Sequence, residues 1–373
     1  MSSSLPGVHG WRGRHILRRG LSACCVLTLA AGLSAAVAPA ADAATPNYEI
    51  VFQGSTGSLW YDGYSGATSA DLGLAPGITS PSIAVTGPAS YMTVFQGYTS
   101  TLWSAGTGTP DNWGLAMAPG TSPAILALPP RGSLSGGVEV AYEGTNGDLW
   151  LSGPAQTGDT GLAMAPDTSP AITGLQSGGF QVAFRASSGI LWTTGTDGTY
   201  DANVFMAPGS SPTITAVNDG AVTTAENSYF VTVSIGDDQV WNVNWVASNY
   251  VLSQAGADGE TTAPGTSASN NDYSFDALIL TMFQGFNGDL WTSYGDSTVD
   301  TGLAMKAGTS PSLATLQNGD PVVAYQGSNG DLWVATQNVD TQAWIGADQG
   351  LGMMAGTSPA IVAYYPCSIC RNQ

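Results

Sequence analysis

Short runs of alternating hydrophobic and polar residues, separated by glycine and proline, fill the chain after its first 43 residues. In one run, Phe180, Val182 and Phe184 fall on one face of an extended chain and the residues between them on the other. A period of two over so few residues predicts β-strands. Four strands are predicted in this part of the chain, at 171–175, 180–185, 191–193 and 204–207. No part of the chain after residue 43 shows a sustained helical period.

A short motif recurs seven times, and it reads aromatic-Gln-Gly, a tight turn, then Leu-Trp. Clear copies run from Phe52 to Trp60 and from Tyr325 to Trp333, and a Gly-Thr-Ser-Pro block follows most copies. Successive tryptophans are about 45 residues apart, a period typical of propellers and solenoids. The repeated tryptophans are Trp60, Trp103, Trp150, Trp192, Trp241, Trp291 and Trp333.

Four antiparallel strands in each of seven repeats predict an all-β fold, a seven-bladed β-propeller. Asn-Gly pairs such as Asn146-Gly147 predict type I′ turns between the second and third strands. The propeller would begin on a second strand at 49–53 and end on a first strand at 360–364. We therefore expect the C-terminal strand to pair with the first blade. The fifth repeat lacks aromatic-Gln-Gly at 233–236, so we expect a blade there with looser connections.

The N-terminus has the pattern of a secretory signal peptide. Four arginines between residues 12 and 19 precede the apolar run 21–38 and a small-residue cleavage site at 41–43. We expect a signal peptide at 1–43, a propeller at 44–366, a tail at 367–373, and a secreted protein without a membrane helix. Arg18-Arg19 also fits a twin-arginine signal, so the export route stays open.

Charge and cysteine content narrow the possible partners. After residue 43, four basic and 26 acidic residues remain, a formal net charge of −22, which argues against nucleic acid and anionic membrane as partners. No histidine follows residue 43, so we expect no metal and no cofactor. Cys367 and Cys370 predict a local disulfide in an exported protein, with a redox pair as the alternative.

The repeated Gln-Gly…Gly-(Asp)-Leu-Trp unit, followed by Gly-Thr-Ser-Pro, resembles the tectonin- and tachylectin-type lectin β-propellers. It is most similar to the seven-bladed bacterial fucose-binding propeller lectins, and the resemblance covers the whole chain after the signal. It implies sugar pockets between neighbouring blades, built from aromatic and polar side chains, and therefore a multivalent lectin whose partners are glycans. It does not assign individual sugar-contacting residues.

Two groups of residues are candidates for polar and stacking contacts with a sugar. The motif glutamines are replaced by Glu and Arg in two repeats, and a core position does not readily accept all three, so we expect these side chains to reach solvent or a pocket rim. Trp113 and Trp344 lie outside the shared pattern and are candidate stacking platforms. The candidates are Gln53, Gln96, Trp113, Glu143, Arg185, Gln284, Gln326 and Trp344.

The repeated residues also have structural interpretations. We expect the seven repeated tryptophans to pack between blades, with sugar stacking as the alternative. Asp148, Asp289 and Asp331 follow the Asn-Gly turns, where turn stabilisation is favoured over calcium binding.

Catalysis is disfavoured, because the chain after residue 43 has no histidine for a catalytic triad and no arginine cluster for a sialidase. We therefore expect a non-enzymatic glycan-binding protein. A propeller that binds proteins or has a structural role is the alternative, and a carboxylate-pair glycoside hydrolase is a weaker one.

Overall fold

The computed structural model describes residues 47–364, apart from internal gaps at 78, 89, 131–135, 176–177, 217–228, 236–239, 247–248, 257–261, 273–278, 295–296 and 339–340. Within this part of the chain, every regular element of secondary structure is a β-strand, and the strands form four-stranded antiparallel sheets. None of the described residues forms a helix long and apolar enough to cross a lipid bilayer. The predicted signal peptide at 1–43 and the predicted pair Cys367 and Cys370 lie outside the described residues.

Seven sheets, which we call blades 1 to 7, follow one another along the chain, with strands numbered β1 to β28. Blade 1 contains β1 (Tyr48–Gln53), β2 (Ser58–Gly63), β3 (Thr68–Gly73) and the C-terminal β28 (Ala360–Ala363). Blade 2 contains β4 (Ser82–Gly87), β5 (Ser90–Gln96), β6 (Thr101–Gly106) and β7 (Asp111–Ala116). Blade 3 contains β8 (Ala124–Leu128), β9 (Gly137–Glu143), β10 (Asp148–Ser152) and β11 (Gly158–Ala163). Blade 4 contains β12 (Ala171–Gly174), β13 (Phe180–Arg185), β14 (Ile190–Gly195) and β15 (Tyr200–Phe205).

The remaining blades have the same order. Blade 5 contains β16 (Thr213–Ala216), β17 (Tyr229–Ile235), β18 (Val240–Val246) and β19 (Asn249–Gly256). Blade 6 contains β20 (Ser269–Asp272), β21 (Ile279–Gln284), β22 (Asp289–Tyr294) and β23 (Ser297–Ala304). Blade 7 contains β24 (Ser312–Thr315), β25 (Pro321–Gln326), β26 (Asp331–Gln337) and β27 (Trp344–Gly352).

The two ends of the described chain meet in blade 1. Strand β28 pairs antiparallel with β1, with Ile361 opposite Ile50, which confirms the predicted pairing of the C-terminal strand. A ring of hydrogen bonds near the innermost strands links every blade to the next. In each repeat the backbone N–H of the Gly-Thr-Ser-Pro serine, or its equivalent, donates to the serine Oγ of the following repeat at 2.8–3.0 Å. The seven serines are Ser80, Ser122, Ser169, Ser211, Ser267, Ser310 and Ser358.

The hydrophobic core lies between the blades. Both faces of each central strand are buried, because each sheet packs against its neighbours on both sides. A large residue meets a small one across these interfaces: Phe184 of blade 4 clusters with Ala141 of blade 3, and Phe52 of blade 1 with Ala324 of blade 7. Complementary sizes of this kind fill the space between two sheets without voids.

The hairpin turns differ from the prediction. A type I′ turn needs positive φ at both central residues, but only the glycine of each Asn-Gly pair has it, as at Gly147 with φ 81°. The N–H of Gly147 donates to Gly144 O at 2.9 Å, and Gly144 N–H donates to Asp148 O at 2.9 Å. This pattern is that of a three-residue loop whose last residue is left-handed. The same loop forms at Gly57 and Gly189, where Thr56 and Ser188 replace the asparagine, so the turn type does not depend on an Asn-Gly pair.

Other strand predictions were close to the structure. In blade 4 the fourth strand, β15, begins four residues before the predicted 204–207, because Tyr200 and Asp201 already pair with β14. Blade 5 is present despite its degenerate motif. The connections in which we expected looser structure fall mainly in the gaps at 217–228, 236–239 and 257–261, outside the described residues.

Candidate functional site

The motif glutamines are buried, so the expectation that they reach solvent is wrong. Gln96 is 1% exposed, and its Nε2 donates to Ala118 O at 2.8 Å while its Oε1 accepts from Gly120 N at 3.3 Å. Both partners lie in the crossing, the segment that joins one blade to the next. The N–H of Ala118 in turn donates to the backbone of blade 3. The side chain therefore fixes the path of the chain between blades.

The same arrangement recurs in three other blades. Gln284 donates to Lys306 O at 3.0 Å and accepts from Gly308 N at 3.2 Å. Gln53 and Gln326 also donate to carbonyls of their own turn and of the following crossing. These glutamines have the contacts of scaffold residues, although the Oε1 atoms of Gln53 and Gln326 are buried without a partner, unlike those of Gln96 and Gln284.

Glu143 and Arg185 occupy the glutamine position in blades 3 and 4. Glu143 is 4% exposed, and burial, with a further contribution from Asp167, raises the pKa of its carboxyl to about 7. Its Oε2 is buried without a hydrogen-bond partner. Arg185 is half-buried, its Nε has no partner, and its Nη2 lies beside Gly189 in its own turn. The structure therefore does not bring the predicted polar residues together in one pocket.

Five of the repeated tryptophans pack against the hydrophobic core between blades, as predicted. Trp60, Trp103, Trp150, Trp192 and Trp333 each lie against hydrophobic residues of two neighbouring blades. The ring also lies against the motif glycine, since a Cβ at Gly285 would collide with the indole of Trp291. This close approach explains the Gly of the motif. The side chain of Trp241 lies outside the described part of the structure.

The Asn-Gly turns tie the tryptophan to two aspartates. In blade 6, Asn287 Oδ1 accepts from Trp291 Nε1 at 2.9 Å, and Asn287 Nδ2 donates to Asp289 at 3.1 Å and to Asp300 at 2.8 Å. Equivalent bonds surround Asn146 and Asn329, and these contacts support the turn-stabilising interpretation. Among the described residues, no group of three or more His, Cys, Asp or Glu side chains is placed to hold a metal ion.

Neither unrepeated tryptophan offers a free ring. Trp113 is half-buried on β7, and its Nε1 donates to Ser104 Oγ at 3.0 Å. Trp344 is 8% exposed within the core between blades 6 and 7, and its Nε1 is buried without a partner. Their indoles contribute mainly to the core.

A different aromatic cluster lies where blade 1 meets blade 2, and we call it the tyrosine gap. Its rings form two pairs: Tyr64 stacks on Tyr364 with centroids 4.6 Å apart, and Tyr61 lies tilted against Tyr91 with centroids 5.4 Å apart. Such pairs are stabilised beyond the burial of their surface. The Tyr64 ring is 45% exposed, whereas Tyr61, Tyr91 and Tyr364 are buried. The gap consists of Glu49, Tyr61, Tyr64, Ser65, Tyr91, Thr93 and Tyr364.

Hydrogen bonds connect the two blades at this gap. The Tyr91 hydroxyl of blade 2 lies 3.2 Å from Ser65 Oγ in the turn after β2, and Ser65 N–H donates to Glu49 Oε2 at 3.0 Å. Burial is the main cause that raises the pKa of Glu49 to about 7, and Asp62 adds to it. Burial also raises the pKa of the Tyr61 hydroxyl.

The gap contains polar atoms that the protein leaves unsatisfied. Glu49 Oε1 is buried without a hydrogen-bond partner, and Tyr61 Oη and Thr93 Oγ1 interact with each other but have no partner at full hydrogen-bonding geometry. A buried polar atom without a partner costs about 1–3 kcal/mol, so Glu49 Oε1, with these weakly paired hydroxyls nearby, indicates a partner from outside the chain, either water or a ligand. An exposed ring beside a serine hydroxyl, with further polar atoms beneath, can stack on the C–H face of a sugar and bind its hydroxyls.

This constellation occurs once among the described blades. Positions equivalent to Tyr61 carry Ser104, Leu151, Thr193, Thr292 and Val334. Glu139 matches Glu49 in blade 3, but its two carboxyl oxygens accept from Ala155 N and Gln156 N at 3.0 and 3.2 Å. The sequence contained one signal for the gap, since Tyr61, Tyr64 and Tyr91 interrupt the repeat as Trp113 does. It was missed because ring closure is needed to bring Tyr364 alongside.

No protein-family model matches this sequence, and no curated protein matches it. Among solved structures, it is similar to a variant of the Aleuria aurantia lectin bound to Fucα1-6GlcNAc and to SapL1 lectin bound to α-methyl fucoside. Each is 13% identical with a TM-score of 0.50, and the matches cover 74% of this chain and 95% and 96% of theirs. A variant of AofleA from Arthrobotrys oligospora is also 13% identical, with 76% and 89% coverage and a TM-score of 0.50.

The extent of these matches corrects the resemblance drawn from the sequence. A match over 74% of 373 residues spans about 276 residues, or about six repeat lengths, and almost all of each lectin. The kinship with seven-bladed, tectonin-type lectins is therefore not supported by these neighbours. At 13% identity the similarity establishes the fold alone: this chain is a β-propeller of the general kind found in fucose-binding lectins.

Proposed function

We propose that this protein binds carbohydrate without catalysis and that the tyrosine gap is its principal binding site. The observation that carries the proposal is the exposed Tyr64 ring beside Ser65, the unsatisfied Glu49 Oε1 and the weakly paired Tyr61 hydroxyl. Aromatic faces with nearby hydrogen-bonding groups suit sugars, which combine C–H faces with hydroxyls. The fold similarity to lectins crystallised with fucosides supports the same proposal and makes a fucoside the first ligand to test.

The site composition favours uncharged sugars. In the described part of the chain the basic residues are Arg185 and Lys306, in or beside blades 4 and 6, whereas the tyrosine gap holds Glu49 with Asp62 nearby. A carboxylated sugar would meet like charge there without a cation to pair with. We therefore expect neutral glycans to bind in preference to sialylated or uronic-acid glycans.

Titration of the chain from residue 44 with methyl α-L-fucoside and a panel of neutral sugars tests the site. Tyr64→Ala removes the exposed ring, and we expect it to weaken binding at least tenfold, which equals about 1.4 kcal/mol. Tyr98→Ala is the matched control, because Tyr98 is an exposed tyrosine, 77% accessible, in a turn of blade 2. Full binding by the Tyr64 variant, or an equal loss in the control, would refute this site assignment.

Multivalency and export are further parts of the proposal. The repeats predict more than one sugar site, but the tyrosine gap occurs once in the described blades, so further sites would need a different composition. The molar ratio in the same titration distinguishes one site from several. Export predicts that protein recovered from the culture medium begins near Ala44, which mass spectrometry of its N-terminus tests.

A protein-binding propeller is the second candidate, and exposed aromatic residues favour it. Tyr98 and Phe286 occupy equivalent turns of blades 2 and 6 and are 77% and 74% exposed. Large exposed apolar side chains are enriched where proteins meet other proteins. A protein partner whose binding is abolished by Tyr98→Ala and unaffected by free sugars would favour this function.

A further inference from the structure

Glu143 differs from its counterparts in a way that changes what its side chain can do. At the equivalent position Gln96 and Gln284 each donate Nε2–H to the carbonyl 22 residues later, at 2.8 and 3.0 Å. Each also accepts, through Oε1, the N–H of the glycine 24 residues later. An amide performs both functions at every pH, because it always has a donor and an acceptor.

In blade 3 both partners of this arrangement are altered. Glu143 replaces the glutamine. Asp167, 24 residues later, replaces the glycine, and its own backbone is left-handed with a φ of 60°. A carboxylate can only accept hydrogen bonds. An ionised Glu143 therefore cannot donate to the carbonyl of Ala165, which lies 22 residues later in the chain. Ala165 is 1% exposed, and its carbonyl accepts from Thr168 Oγ1 at 2.7 Å, which leaves Glu143 to supply the second bond that glutamine supplies elsewhere; Glu143 Oε2 is buried without a partner.

The charges around Glu143 favour its neutral form. Asp167, on the crossing, is the charged group that acts on it, and it repels a second negative charge. Arg185, at the equivalent position of the next blade, has its guanidinium beside Gly189 in its own turn and forms no ion pair with Glu143. A buried carboxyl without a cation is more stable when protonated.

We propose that Glu143 is a proton-dependent latch on the crossing between blades 3 and 4. The protonated carboxyl donates to the carbonyl of Ala165, as glutamine does in the other blades, and the ionised carboxylate releases the crossing. Burial and the charge of Asp167 place this opening near neutral pH, since both oppose ionisation of Glu143. In the blades that carry a glutamine, the amide keeps its hydrogen bond to the crossing at every pH.

The pH range follows from the burial of the carboxyl. Burial and Asp167 raise the pKa of Glu143 from 4.5 to about 7 in the closed structure. A proton held more tightly in the closed form stabilises that form fully below pH 4.5, and this stabilisation is lost as the pH rises to about 7. The opening constant of the crossing should therefore increase by up to about tenfold per pH unit in this window and then level off.

Amide hydrogen exchange of the segment 163–170, corrected for the intrinsic dependence on pH, measures the latch in the intact protein. We expect protection in the wild type to fall by at least tenfold between pH 5 and pH 7.5. Glu143→Gln restores the amide used elsewhere in the ring, so its protection should not vary with pH. Asp167→Gly should shift the loss of protection to lower pH than in the wild type, because the pKa of Glu143 falls once Asp167 no longer opposes its ionisation.

Three outcomes would overturn the latch. Protection of 163–170 that does not depend on pH in the wild type would show that the carboxyl does not control the crossing. The same pH dependence in wild type and Glu143→Gln would assign the effect to another group. Protection that increases with pH would mean that the ionised carboxylate holds the crossing instead. None of these readouts involves sugar binding, so the latch and the proposed function can fail independently.

Discussion

Replacing Gln284 with alanine tests whether the motif glutamines are scaffold residues. Gln284 is fully buried, and its amide bonds to Lys306 O at 3.0 Å, Gly308 N at 3.2 Å and Gly288 O at 3.5 Å. The alanine variant loses these hydrogen bonds and leaves a cavity where the buried amide was, although Lys306 O still accepts from Thr309 Oγ1 at 2.7 Å. A hydrogen bond contributes about 0.5–1.5 kcal/mol and the cavity adds to the cost, so we expect a loss of about 2–4 kcal/mol in the free energy of unfolding.

Equilibrium unfolding in urea measures this loss, and Gln156→Ala is the matched control. The side chain of Gln156 is exposed, and its structural hydrogen bond uses the backbone N–H that alanine retains. We expect the control to stay within about 0.5 kcal/mol of the wild type. A Gln284 variant as stable as the control, with reduced sugar stoichiometry, would show that the glutamines are ligand contacts and that the scaffold interpretation is wrong.

Three further predictions address the ring, the motif glycine and the dependence on pH. Ser80→Ala removes the acceptor for Ser358 N–H, so it should lower the unfolding free energy by about 1 kcal/mol, and no change would show that this bond does not stabilise closure. Gly285→Ala should destabilise the protein by about 1–3 kcal/mol and alter tryptophan fluorescence, because the new methyl collides with an indole; unchanged stability would mean that the ring moves freely. Stability should fall as the pH rises from about 4.5 to about 7, because burial raises the pKa of three carboxyls to about 7 and the folded protein then holds protons that the unfolded chain releases. The carboxyls are Glu49, Glu139 and Glu143, and replacing all three with glutamine should remove most of this slope in urea titrations at each pH.

Much of the fold could be predicted because it depends on local patterns that recur. The alternation in Phe180–Arg185 predicts a strand, and the pairing of Phe184 with Ala141 follows once blades stack. The Leu-Trp position was also predictable as packing, since each Trp follows the same motif. The turn type was not, because the same three-residue loop forms at Gly57 and Gly189 without an asparagine, so the Asn-Gly pair does not determine it.

The candidate site was less predictable, for two physical reasons. Polar character at Gln284 suggested exposure, but the sequence does not show that the crossing presents a buried carbonyl and N–H to that side chain. The tyrosine gap combines Tyr64, Tyr91 and Tyr364, which are far apart in the chain and meet only when β28 pairs with β1. A search for aromatic residues that interrupt the repeat finds these positions but cannot show which of them meet.

Binding of the chain from residue 44 to a glycan array, with wild type and Tyr64→Ala side by side, tests the central claim most directly. We predict that the wild type binds a defined set of neutral glycans, fucosylated ones among them, and that the variant binds the same set at least tenfold more weakly. A wild-type protein that binds no glycan on the array, while remaining folded, would contradict the claim that this propeller is a carbohydrate-binding protein.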